Sequence, residues 1–103
     1  MSEPMRMVVT GVSGRMGRML VDTIAASDQA MLTGAVERQG HDWIGQDLGR
    51  ALGGAESGVM VTDDIDAALA SADAVIDFTA PAASIGFSAA AARAGVVHVI
   101  GTT

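Results

Sequence analysis

Short apolar runs alternate with longer alanine-rich stretches along this chain. Residues 6–10 are a brief apolar run closed by Gly11, the pattern of a strand covered on both faces. Over 15–26 the spacing changes: Met16, Met19, Leu20, Thr23 and Ile24 recur at helical intervals, with Arg18 and Asp22 four apart on the outer side. A second strand is predicted over 31–36, ending at Glu37, a third over 59–61 and a fourth over 74–78. Thr62 or Asp63 is placed to cap a helix reaching Ala72, since a side-chain oxygen there accepts an orphaned amide hydrogen. Pro81 suits the first turn of another helix through Ala92, where a missing N–H costs nothing, and Gly95 suits its end. The last apolar run, 96–100, predicts a fifth strand before Gly101, Thr102 and Thr103.

Between the second and third strands the alternation breaks. Residues 40–58 are glycine-rich with a single aromatic, Trp43, and predict an irregular connection with a short helix near 47–52. Connections this long inside a compact domain are uncommon and are often functional. The order β-α-β-loop-β-α-β-α-β predicts an α/β fold: a Rossmann-type, doubly wound parallel sheet occupying 1–103 as a single domain, truncated before the last elements of its sheet.

Composition narrows the chemistry. Twelve acidic residues against six basic ones give a net charge of −6, which argues against nucleic acid, whose phosphates are held by clustered Lys and Arg. Every basic residue is Arg; without Lys, this stretch supplies no Schiff-base or lysine proton-donor chemistry. With no Cys there are no thiolate nucleophiles, disulfides or Cys-ligated metals. Met1 to Arg6 lacks the layout of a signal peptide and no apolar run is long enough to span a bilayer, so a cytoplasmic protein without a membrane partner is expected.

The informative segment is Gly11-Val12-Ser13-Gly14-Arg15-Met16-Gly17, set between the first strand and the first helix. Gly11 permits the turn out of the strand, Gly14 lets backbone approach a pyrophosphate without a Cβ in the way, and Gly17 lets the helix pack closely. The helix start then offers free amide hydrogens and partial positive charge to phosphates. The spacing is G-x-x-G-x-x-G, with Ser13 where the commoner fingerprint has glycine, and on its own it also fits a turn that binds nothing. Glu37, 20 residues beyond Gly17 at the end of the second strand, adds an acid suited to adenosine ribose hydroxyls. Arg38 either pairs with a 2′-phosphate or is an exposed loop residue.

Four segments together resemble the dihydrodipicolinate reductase (4-hydroxy-tetrahydrodipicolinate reductase) family: residues 9–17 with G-R-M-G, residues 35–38, residues 75–81 with D-F-T-x-P, and residues 99–103 ending in G-T-T. The resemblance implies an oxidoreductase of lysine and diaminopimelate biosynthesis that delivers hydride from NADH or NADPH to a cyclic dicarboxylate. It implies that the Gly11–Gly17 loop holds the pyrophosphate, Glu37 the ribose, and Arg38 a 2′-phosphate. Phe78, Thr79, Gly101, Thr102 and Thr103 would lie about the nicotinamide. Some members carry a basic residue where this chain has Ala80, which leaves NADH-versus-NADPH preference open. The family's catalytic Lys and His-rich segment lie in a substrate-binding and oligomerising domain absent from this chain. These residues alone are therefore expected to bind cofactor without turnover, as a monomer or weak dimer, and the full-length protein to be a homotetramer. Two alternatives are the cofactor domain of another two-domain nicotinamide oxidoreductase and a non-catalytic dinucleotide-binding module. Adenosylmethionine binding would also use a glycine turn and an acid, but gives Arg38 no task.

Other polar residues have plainer assignments. His98 is expected to be a packed or hydrogen-bonded strand residue, and His41 an exposed loop residue. Asp63, Asp64 and Asp66 sit where a helix start favours negative charge, and no set of metal ligands stands at defined spacing. Asp77 is expected to orient backbone before the D-F-T-x-P turn and not to be catalytic.

Overall fold

A computed structural model describes residues 4–70, 72–77 and 91–100. Strand β1 (Met5–Thr10) leads into helix α1 (Arg15–Ala25) and strand β2 (Ala30–Val36). After the long connection come α2 (Leu48–Ala51), β3 (Val61–Thr62), α3 (Ile65–Leu69), β4 (Ala74–Asp77) and β5 (Val97–Ile100). The strands form one parallel sheet in the order β3-β2-β1-β4-β5. The chain winds outward from β1 in one direction and then restarts on its other side at β4. The expected doubly wound α/β fold is therefore present, with its switch point between β1 and β4.

Period-two alternation along β1 sends Val8 and Val9 to opposite faces. Val8 packs with Val36, Leu69, Val75, Ala91 and Val96 under α3 and the helical residues 91–94. Val9 packs with Val12, Ile24, Ala35, Leu48 and Val61 under α1 and α2. Both faces of the central strands are covered, which is why β1 and β4 read as continuous apolar runs.

Several boundaries differ from expectation. β3 covers 61–62 instead of 59–61, and the preceding loop runs along the edge that faces away from β2. The Leu48 amide donates to the Val59 carbonyl, Val61 donates to Gln46, and Gly45 donates to Val61. Met60 makes only an isolated antiparallel bridge with Asp47. The connection thus shields the outer edge of β3, which would otherwise present unpaired groups.

The cap of α3 is Asp64, whose carboxylate accepts from the Ala67 amide at 3.1 Å, and neither Thr62 nor Asp63. Thr62 Oγ1 instead accepts from the Asp64 amide and turns the chain. Helix α3 stops at Leu69, short of Ala72, because the Asp73 amide is drawn to the Arg6 carbonyl to start β4. Asp64→Ala is expected to cost about 1 kcal/mol, read as a lower urea midpoint with an unchanged slope.

The short helix expected near 47–52 is α2, with Asp47 as N-cap and Leu52 as C-cap. Asp47 does more than cap: its carboxylate accepts from the amides of Arg50, Ser57 and Gly58 and from the Ser57 hydroxyl. The Ser57 amide foremost, then those of Arg50 and Gly58 and the Ser57 hydroxyl, hold its carboxyl below the ordinary aspartate range despite burial. At the far end of the chain Gly95 terminates helical residues 91–94 as expected, with φ 70°. The Gly95 amide donates to Ala92 and the Val96 amide to Ala91, the paired bonds of a Schellman end. Phe78 and most of the predicted 81–92 helix lie outside the described residues. Among the described residues, no helix is long and apolar enough to cross a membrane.

Candidate functional site

The glycine turn leaves β1 at the switch point, where open parallel sheets present ligands at the carboxyl ends of their strands. Gly11 has φ 65°, a left-handed conformation that a side chain would strain. Its amide and that of Val12 both point to the Val36 carbonyl, at 2.9 and 3.4 Å, which pins the turn to the end of β2. Val12 is wholly buried in the core beneath α1. Only its backbone can therefore meet a ligand.

Gly17 meets the requirement placed on it, and the contact is with the turn. A Cβ there would stand 2.6 Å from the Gly11 carbonyl oxygen and 2.9 Å from Val12 Cα. The first turn of α1 thus lies directly against the backbone it follows. Gly14 occupies the N-cap position with extended geometry and no side-chain cap. Nothing from a capping side chain satisfies the first amides of this eleven-residue helix, and Gly14, Arg15 and Met16 are exposed around them. An uncapped helix start behind a turn bounded by Gly11 and Gly14 suits an anionic ligand group.

Glu37 directly follows β2 and turns back to the same place. Its Oε2 accepts from the Ser13 amide at 2.7 Å, and its Oε1 accepts from the Arg38 amide at 3.2 Å. Burial pushes this carboxyl up. Hydrogen bonds from the Ser13 hydroxyl and amide and from the Arg38 amide, with the His41 ring nearby, outweigh that and hold it below the ordinary glutamate value. Glu37 is therefore ionised at neutral pH and serves as a latch between β2 and the glycine turn. A carboxylate has roughly four acceptor positions, so lone pairs remain for further donors. Arg38 is exposed beside it.

Two parts of the surroundings were not foreseen in the sequence. Arg18, read as an outer-face residue, donates from Nε to the Ser13 carbonyl at 3.1 Å. Its guanidinium also lies over the Trp43 ring, 5.3 Å from the centroid. Trp43 packs partly buried on the core, so the lone aromatic of the glycine-rich stretch ties that loop to the turn. His41, expected to be exposed, is half-buried: its Nδ1 accepts from the Trp43 amide and its ring meets the indole edge-on. The Ser13 position, where the commoner fingerprint has glycine, places one amide on Glu37 and one carbonyl on Arg18.

Of the expected site residues, Gly11, Val12, Ser13, Gly14, Arg15, Met16, Gly17, Glu37 and Arg38 converge at the carboxyl ends of β1 and β2. Phe78, Thr79, Gly101, Thr102 and Thr103 lie outside the described residues. Next to the switch point, Thr10 Oγ1 donates to the buried Asp77, which also meets His98. This agrees with the hydrogen-bonded role expected for His98 and shows Asp77 engaging neighbouring side chains. The aspartates at the helix start divide their work: Asp64 caps, while Asp66 pairs at the surface with Arg93. Among the described residues no group of three or more His, Asp or Glu side chains could hold a metal ion.

Several known proteins are similar to this chain. The chain is 68% identical to the 4-hydroxy-tetrahydrodipicolinate reductase of Roseobacter denitrificans over all 103 residues, which span 38% of that protein. It is 52% identical to the enzyme of the same name from Rhizobium meliloti, over 96% of this chain and 41% of that one. Among solved structures, an amine dehydrogenase from Mycobacterium smegmatis superposes with a TM-score of 0.77 and 30% identity, over 93% of this chain and 29% of its own. A dipicolinate-bound dihydrodipicolinate reductase from Paenisporosarcina sp. TG-14 shares the fold at TM-score 0.75 and 22% identity, over 97% of this chain and 38% of its own. The chain thus spans about two-fifths of the length of the curated relatives it matches. Residues 5–103 match the family model described as dihydrodipicolinate reductase, N-terminus, and the chain belongs to that family.

Proposed function

We propose that these residues are the NADH- or NADPH-binding part of a cytoplasmic 4-hydroxy-tetrahydrodipicolinate reductase, which reduces a cyclic dicarboxylate in lysine and diaminopimelate biosynthesis. The observation that carries this is the uncapped start of α1 behind a glycine-bounded turn that Glu37 latches to β2. The chemistry supplied by the bound dinucleotide is hydride donation from its dihydronicotinamide ring.

What the chain does is bind and orient. The amides at the start of α1 and the backbone about Gly14 receive the pyrophosphate, and the helix dipole adds favourable charge. Glu37 takes ribose hydroxyls on the acceptor positions that Ser13 and Arg38 leave open. Arg38, exposed at the rim, meets a 2′-phosphate when there is one. Phe78, Thr79, Gly101, Thr102 and Thr103 complete the nicotinamide side. The chain has no Lys, so we assign proton donation and substrate binding to residues that the longer relatives carry beyond the matched segment. Tight binding at the adenosine end then holds the ring for transfer, so that binding energy is used on orientation.

Calorimetric titration of the full-length polypeptide with NADH and NADPH tests this. Arg38→Ala is expected to weaken NADPH by about tenfold, the scale of one charge-assisted contact, and to leave NADH nearly unchanged. Failure of the folded, unsubstituted protein to bind either dinucleotide would overturn the assignment.

A further inference from the structure

Arg18 stands near the end of a helix that least favours a cation. It follows Gly14, the N-cap of α1, by one turn, and its amide donates to the Gly14 carbonyl at 2.9 Å. Helical side chains slant back toward the N-terminus, so from this position Arg18 overhangs the glycine turn. The guanidinium is fastened there twice. Its Nε donates to the Ser13 carbonyl at 3.1 Å, and it lies over Trp43, 5.3 Å from the ring centroid. Trp43 is itself fixed, packed against the core and donating its amide to His41 Nδ1. Among the described residues no carboxylate pairs with Arg18, although Asp22 lies one turn further along α1.

The dipole makes a helix start partially positive, so acids suit a first turn and cations do not. Helix α3 follows that rule, with Asp64 as its cap and Asp66 in its first turn. Helix α1 breaks it: the cap has no side chain, the first turn has no acid, and the residues about it include Arg15 and Arg18. This is not a by-product of a basic chain, since the net charge is −6. The Ser13 carbonyl, just before the cap, would also set a partial negative charge beside the free amides, and Arg18 covers it. A local rule broken without a carboxylate partner is expected where a ligand supplies the compensation, and here that ligand is an anion.

We propose that Arg18 is the fixed cation of the pyrophosphate site, a positioning residue that acts on the diphosphate through the Ser13 peptide and through its own charge. This rests on the dinucleotide assignment above. Held on the Ser13 carbonyl, the guanidinium stands within a Debye length of the start of α1 and attracts a diphosphate there. Because Ser13 and Trp43 already hold the side chain, little further ordering is needed when the ligand arrives.

Calorimetry on the full-length polypeptide at two ionic strengths tests this. Arg18→Gln is expected to weaken NADH and NADPH alike by about tenfold at about 0.01 M salt, the scale of one cation near a diphosphate in water. At about 1 M salt, where charges are screened, the loss should shrink to within about twofold. Arg18→Lys, which keeps the charge without the planar fork, should stay within about threefold of wild type at low salt. Arg93→Gln alters the net charge equally, but its residue pairs with Asp66 at the surface and should change affinity by less than about twofold. If Arg18→Gln does not fold, Arg18→Met carries the same comparison. A loss that persists at high salt would show that Arg18 acts through the shape of the turn, and would overturn the proposal. Unchanged affinity at low salt, an equal loss in Arg93→Gln, or a loss confined to NADPH would overturn it too. Absence of binding by the unsubstituted protein would overturn the dinucleotide assignment itself, and the role of Arg18 with it.

Discussion

Gly17→Ala is expected to lower the stability of the domain by about 1–2 kcal/mol and to remove dinucleotide binding altogether. Two effects compete. Alanine is the better helix former by roughly 1 kcal/mol, and Gly17 lies inside α1. Against this, its Cβ would meet the Gly11 carbonyl oxygen at 2.6 Å, Val12 Cα at 2.9 Å and the Val12 carbonyl oxygen at 3.0 Å. All three are backbone atoms, held by the bonds of Gly11 and Val12 to Val36, so none can swing aside. Overpacking of this kind costs about 1–3 kcal/mol, which outweighs the propensity gain. For a domain of this size each kcal/mol lowers the melting temperature by about 4–8 °C. Gly14→Ala gives the contrast: its Cβ would lie 3.3 Å from the Gly11 oxygen, on an exposed turn with φ −73°. It should change stability by less than about 0.5 kcal/mol while weakening NADH. A Gly17→Ala protein that melts with the wild type would show that α1 can withdraw from the turn.

Glu37→Ala is expected to cost NADH and NADPH alike at least about a hundredfold in affinity. The estimate combines ribose hydrogen bonds to a charged acceptor, about 1.5–3 kcal/mol each, with a glycine turn that loses its latch. Stability should fall less, by roughly 1 kcal/mol, because the cost of burying the charge offsets much of what its hydrogen bonds contribute. The latch also predicts a pH dependence. The folded-state pKa of Glu37 is depressed, so its contribution is fully present above the ordinary glutamate value of about 4.3. It is lost as the pH falls through the lowered folded value. The stability difference between wild type and Glu37→Gln should therefore shrink on acidification from pH 6. A difference that stays constant would mean that the charge contributes nothing to the latch.

Much of this was legible in the residues because the signals were periodic or backbone-driven. Apolar runs covered on both faces fixed β1 and β4. Helical spacing fixed α1, and Gly95 fixed the end of residues 91–94. The glycine turn and Glu37 stood out as candidates because a dinucleotide site would require small residues and an acid at set intervals. What was missed depends on contacts distant in sequence. The edge strand β3 begins later than its valines suggest, and its outer edge is paired by residues 45–48, a contact that local pattern does not announce. Asp64 was passed over for Thr62 and Asp63, because the turn that selects among three adjacent oxygens is set by where β3 ends. The latch from Glu37 to Ser13 spans 24 residues and the hydrogen bond from Thr10 to Asp77 spans 67. Nothing in local composition encodes either pairing. Arg18 looked like a surface partner of Asp22, and only the packing of Trp43 on the core brings the indole beneath it.

The fastening of the long connection by Asp47 bears on how this family can vary. One carboxylate gathers Arg50, Ser57 and Gly58, and Leu48 donates to Val59 just beside it. The two stems of the loop are therefore zipped at their base, and Gly53, Gly54, Ala55 and Glu56 stand exposed beyond it. Residues inserted among those four would lengthen a lobe already closed at its neck, and the register of β3 on β2 would not shift. Divergence in length should accumulate at that tip, while a single change at Asp47 would loosen the whole lobe from the sheet edge it protects.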